Sequence, residues 1–174
     1  MKSLLFLLLL IPVGSIAQKI TDPVTYNDKI VQYQDNIGYA MVAMNEHIGT
    51  NESTLSSAEE LRLDLLKIIL ESIAGIKKMQ AFDGNDDMRK AGLALFQFYE
   101  KAVSTDYREA INILYKEDLS EDDITVLEGI VAKITEEESE FDIAFEEAQT
   151  AFAKKHNIDL EENELQELLN DDEE

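Results

Sequence analysis

The stretch Ser120-EDDITVLEGIVAKITEEESEFDIAFEEAQTAFAKKH-Asn157 decides the fold. Its apolar residues Ile124, Leu127, Val131, Ile134, Phe141, Phe145, Ala148 and Phe152 recur at alternating spacings of three and four, which puts them on one stripe of a helix. Ser120 followed by Asp123 starts it, because a serine hydroxyl takes an orphan backbone N–H while the acid reaches back. Asn157 suits the left-handed position that ends it. The pattern predicts one helix over about 121–156. One position breaks the stripe: Glu138 falls on the seam between Ile134 and Phe141, where a charge is costly unless paired or hydrogen-bonded.

Three further stretches show the same periodicity, and none shows sustained period-two alternation. A first helix over about 23–47 begins at Asp22-Pro23, where proline's missing N–H is harmless, and runs along Ile30, Ile37, Met41 and Met44. The turn-rich Gly49–Ser56 follows. A second helix over about 57–82, with Ser57 and Glu60 as capping box, carries Leu61, Leu65, Ile68, Ile76, Met79 and Phe82. Asp83-Gly84-Asn85-Asp86 then breaks the pattern, and so short a connection makes its flanking helices antiparallel neighbours. A third helix over about 87–118 follows Met88, Leu95, Phe98, Ala102, Ile111 and Leu114, with Ser104-Thr105-Asp106 as a site for a kink. The expected fold is all-α, an up-down-up-down antiparallel four-helix bundle over 18–158, with helices 3 and 4 longer than the first two.

Both ends of the chain read differently. Residues 1–17 combine Lys2, an apolar run from Leu4 to Val13 and the small residues Ser15-Ile16-Ala17, the layout of a secretory signal peptide cleaved after Ala17. The run is shorter than the ~20 residues that span a bilayer, so no integral span is expected after cleavage and the product is expected secreted or periplasmic. At the other end, 159–174 holds nine carboxylates and no base, with Leu165, Leu168 and Leu169 among them. Two readings stand for it: a solvated, disordered acidic tail, or a short amphipathic helix whose leucines dock on a protein partner.

Charge excludes several functions. With 15 basic against 37 acidic residues, a formal net charge of −22, the chain lacks the clustered cations that hold a phosphate backbone, so no nucleic-acid partner is expected. The absence of cysteine removes disulfides, thiolate metal sites and cysteine nucleophiles together. Neither histidine completes the Glu-x-x-His pair of di-metal bundles, since Met44 precedes His47 and Ala153 precedes His156 by three. The loop from Asp83 lacks both the glycine and the glutamate of an EF-hand, standing as it does with Met88 and Ala94 at those places. No nucleophile elbow, phosphate-cradling glycine loop or nicotinamide fingerprint is present. No enzymatic activity, metal or cofactor is expected.

Extending the seams of the helices suggests a polar layer. Asn27 and Gln34 fall on the seam of the first helix, Ser72 on the second and Glu138 on the fourth, and counting along equal rises brings them near one level. Such a layer either sets the register of the helices or forms a pocket for a small ligand or divalent cation.

The opening Asp22-Pro23-Val-Thr-Tyr26-Asn27-Asp28-Lys-Ile30-Val31 resembles the start of poorly characterised bacterial secreted or lipid-anchored helical proteins, among them spirochaete-type surface proteins. The likeness covers about ten residues around Tyr26-Asn27-x-x-Ile30, and the rest only by architecture. It implies a cell-envelope or secreted location and no enzymatic activity. The lipid-anchored members carry a lipobox cysteine, which this chain lacks. The expected function is that of an exported, non-enzymatic bundle with an interaction or structural role, partnered in the cell envelope or with a second copy of itself. The alternative is a small-ligand or divalent-cation binding bundle built on Asn27, Gln34, Ser72 and Glu138.

Overall fold

The computed structural model describes residues 20–160, and the described chain is all-α. The signal peptide read at 1–17 and the leucines Leu165, Leu168 and Leu169 lie outside the described residues. Five helices follow in order: α1 (Pro23–Ile48), α2 (Leu55–Lys78), α3 (Asp87–Ser104), α4 (Asp106–Leu114) and α5 (Glu121–His156). No described helix is long and apolar enough to cross a membrane.

Capping chemistry sets the boundaries. Asp22 accepts the Thr25 N–H at 2.7 Å and Pro23 opens α1. Ser120 and Asp123 form the expected capping box of α5, and Asn157 closes it in the left-handed region, at φ 53° and ψ 48°. The second helix departs from expectation at both ends. Thr54, not Ser57, is its cap: the Thr54 hydroxyl accepts the Ser57 N–H at 3.2 Å, and Ser57 accepts the Thr54 N–H at 2.9 Å. Ser57 thus stands at the third helical position and the helix starts earlier.

The helix also ends earlier, at Lys78, because Met79 turns extended. Phe82 then folds back into the core through a tight turn in which Phe82 and Asn85 exchange both backbone hydrogen bonds, at 2.9 and 2.8 Å. Asp83 (φ 48°) and Gly84 (φ 77°) occupy its two central positions, the positive-φ pair that an Asp-Gly turn of the I′ type requires. Sequence periodicity places Phe82 correctly in the core but on the wrong element.

The expected long third helix is interrupted by the single residue Thr105, at the site read for a kink. The Thr105 hydroxyl turns back onto the Lys101 carbonyl at 2.8 Å, and the Thr105 backbone, at φ −119° and ψ −66°, stays right-handed but departs from ideal α-helical angles. The freed Val103 carbonyl receives the guanidinium of Arg62 at 3.0 Å, a charged donor supplied from α2. Helices 3 and 4 of the expectation are therefore α3 and α4 together, and α5.

The core gathers Ile30, Ile37 and Met44 from α1, Leu65, Ile69, Ile73 and Ile76 from α2, Leu95 and Phe96 from α3, and Phe145 and Phe152 from α5. The helices α1 and α3 both pack on α2, and α5 packs on α3. At one end the rings of Tyr26, Phe82 and Phe152 stand 5.2 to 5.4 Å apart, with His156 against Phe152 at 4.5 Å. At the other end His47 Nε2 meets the Ser57 hydroxyl at 2.8 Å, and the Ser53 and Tyr115 hydroxyls pair. Gly92 marks a close approach of three helices in the core: a Cβ there would come within 3.1 to 3.2 Å of Ile76, Ile30 and Phe145 at once.

Candidate functional site

A straight α-helix has 3.6 residues per turn, so a strict seven-residue stripe drifts about 20° per heptad. Phe152, Phe145, Glu138, Val131 and Ile124 form one such row on α5, four heptads long, and the accumulated turn is roughly 80°. Phe152 and Phe145 are buried, at 4% and 2% exposure. Val131 and Ile124 have rotated out, to 59% and 47%. Ile130, one residue before Val131, takes the inward position instead and is buried, with Leu127 and Ile134 half-buried beside it. The seam read from the sequence as continuous core is core only over its second half.

The open half has an acidic rim. Between Glu117 and Glu140 the sequence supplies ten carboxylates against one base, Lys133. That lysine is held by Asp106 of α4 at 2.8 Å, and Lys116 just before the segment is held by Asp123 at 2.6 Å. Glu121 and Glu128 are exposed and lie one heptad apart beside Ile124 and Val131 on the solvent side.

Where the row passes from open to closed, Glu138 is half-buried and accepts the Tyr99 hydroxyl at 2.9 Å. Burial pushes its carboxyl up, against the lowering effect of that bond. Asp142, one turn along, is pushed up to about 7 by burial and then by the charges of Glu138 and Glu146. Burial, reinforced by Glu138, raises the Tyr99 phenol well above its ordinary value and the Tyr107 phenol to about 12. Tyr107 in turn reaches Met41 Sδ on α1 at 3.6 Å. Both phenols therefore stay protonated donors near neutrality while Asp142 exchanges its proton there.

Two residues of the expected polar layer, Asn27 and Glu138, do not meet. Asn27 is buried and accepts the Gln149 amide at 3.1 Å. Gln149 lies eleven residues beyond Glu138 on α5, ~16 Å along the axis, so Asn27 and Glu138 stand at different levels. Ser72 is buried on α2, Gln34 is half-buried on α1, and among the described residues no hydrogen bond joins either to Glu138. The equal-rise count failed because it aligned the ends of α1 and α5, whereas Asn27 is in register with Gln149. No group of three or more histidine, aspartate or glutamate side chains is placed to hold a metal ion among the described residues.

Several residues escaped the sequence reading. Arg62 is buried at 4% exposure, held by Glu59 and the Val103 carbonyl. Its signal was present, since it interrupts the apolar row Ala58, Leu65, Ile69 at helical spacing. Asp142 was findable as the residue one turn beyond Glu138. Tyr107 was not, because its inward position depends on the break at Thr105. A groove of about 300 Å³ between α1 and α2 also went unseen, lined by Lys29, Tyr33, Gly75 and Lys78. The Tyr33 ring occupies the space a side chain at Gly75 would need, and Lys29 lies over that ring at 4.8 Å.

No protein-family model, curated protein or solved structure matches the chain.

Proposed function

We propose that this chain is an exported, non-enzymatic helical bundle of the bacterial cell envelope or medium whose role is to engage another macromolecule. The observation that carries the reading is the open half of the α5 seam, where Ile124 and Val131 are exposed at core-like spacing beside a row of acids. An apolar row of this kind in contact with water is a cost that a partner removes. The signal-like pattern of residues 1–17 and the likeness of the Tyr26-Asn27-x-x-Ile30 segment to envelope proteins support the location. The pairing of chain ends, with His47 near Ser57 and Tyr26 near both Phe82 and Phe152, supports an up-down-up-down antiparallel arrangement in which α3 and α4 together act as one arm.

A photo-crosslinking residue placed at Val131 in the cells that make the protein tests the role. The reading expects a discrete crosslinked species from Val131 and none from Ile143, which is as exposed, at 54%, but about 120° away around α5 at 100° per residue. The same products from both positions, or none from either, would contradict it. Mass spectrometry of the exported form tests the location, with Gln18 expected as its first residue.

The alternative, a divalent cation held around Glu138, draws on the crowding of Glu138, Asp142 and Glu146. A thermal melt with and without millimolar calcium separates the two, because an ion bound only by the native chain must raise the midpoint. The separation of Asn27 from Glu138 favours the first reading.

A further inference from the structure

We propose that the occupant of the open α5 seam is a basic amphipathic helix of another protein, a claim that rests on the interaction role above and specifies its partner. Ile124 and Val131 are one heptad apart, ~10.5 Å along the axis, with half-buried Leu127 and Ile134 forming the inner margin of the same surface. That is the spacing at which a second helix lays an apolar row into a groove. Glu121 and Glu128 flank the row at the same seven-residue interval, where a coiled-coil partner presents the charges that decide who pairs with whom. Both are carboxylates and both are exposed, so the matching positions of the partner are lysine or arginine.

Charge also sorts the other occupants. A second copy of this chain would bring another segment with ten carboxylates and one base against the first, a like-charge juxtaposition. An anionic membrane surface is repelled by the same rim. Lys133 is engaged by Asp106, and Lys116 and Lys101 pair with Asp123 and Glu137 of the rim, so the nearby cations do not neutralise Glu121 or Glu128 beside the apolar row.

The test uses the full mature chain and a fluorescently labelled synthetic helix with leucine on one face and lysine on the other. A peptide of the same composition in scrambled order serves as control. The helical peptide is expected to bind and the scrambled one to bind at least about ten-fold more weakly. Val131→Glu is expected to weaken binding by a similar factor although it adds a negative charge, whereas Ile143→Glu, which adds the same charge on another face, leaves it unchanged or slightly tighter. Both positions are exposed, so neither variant threatens the fold, and far-ultraviolet circular dichroism checks that.

Tightening of equal size by both variants would show unspecific charge attraction and overturn the proposal. So would equal binding of the scrambled peptide, or a concentration-dependent dimer in sedimentation that Val131→Glu dissociates, which would assign the seam to a second copy. A partner crosslinked at Val131 in cells together with no affinity for the basic helix would leave the interaction role standing and reject only this partner class.

Discussion

From Phe141 to Phe152 the row on α5 lies against α3 and the aromatic end of the core, with its phenylalanines covered. From Ile124 to Ile134 the same spacing on the same helix leaves Ile124 and Val131 in water. The residue types do not differ enough to explain this, since isoleucine and valine are as suited to a core as phenylalanine. The difference is geometric: a straight helix cannot keep a seven-residue row facing one neighbour over four heptads, and the break at Thr105 removes the long straight partner that supercoiling needs. A heptad is thus a promise of contact somewhere along a helix, and the neighbour decides which part is kept.

That contrast breaks most visibly in the core. Phe145→Ala is expected to cost about 3 to 5 kcal/mol in chemical denaturation, the range for emptying a buried phenylalanine site. Val131→Ala should stay within about 0.5 kcal/mol of the parent. Comparable losses from both would mean that the first half of the seam is covered in solution.

Two glycines sharpen the same comparison with opposite signs. Gly92 faces three buried side chains from three other helices, so Gly92→Val is expected to destabilise by about 2 to 3 kcal/mol through overpacking. Gly129, on the open half of α5, has only open space within 4 Å of the point where a Cβ would stand, and Gly129→Ala should stabilise by up to about 1 kcal/mol through helix propensity alone. Thermal melts of the two variants check both signs.

The boundary between the halves should respond to pH. The folded-state value of Asp142, about 7, lies above its ordinary 3.8, so the native chain binds the proton more tightly than the unfolded one. Its contribution is fully present below about pH 4 and is lost as pH rises through 7. Asp142→Asn should therefore raise the midpoint at pH 8, by on the order of 1 kcal/mol after allowance for solvent screening of a half-buried group, and flatten the slope between pH 4 and 7. A variant that melts with the parent's pH profile would show that Asp142 is solvated and that the closed half begins further along α5.

The helical class and most boundaries were legible in the sequence, because they are written in local signals. Asp22-Pro23, Ser120 with Asp123, and Asn157 each act through a neighbour within one turn. The earlier stop of α2 was hidden by Phe82, whose burial depends on a turn that returns it to the core rather than on helical phase. The break at Thr105 was marked in the sequence, but its depth depends on Arg62 arriving from α2 to receive Val103. The candidate site was half legible: Glu138 stood out as a charge on a seam, while its partner Tyr99 and the exposure of Val131 required the relative rotation of whole helices. Asn27 is legible as a polar residue on a buried seam, but its partner Gln149 lies at another level of α5 than periodicity alone assigns.

Amide hydrogen exchange along α5 tests the central contrast most directly, since protection there reports how each half is covered. Strong protection over Phe145 to Ala153 that falls by about ten-fold or more over Thr125 to Ala132 is the expected profile, and the fall should disappear when a basic amphipathic helix is bound. Uniform protection along all 36 residues of the free chain would contradict it, because the seam would then be closed over its whole length.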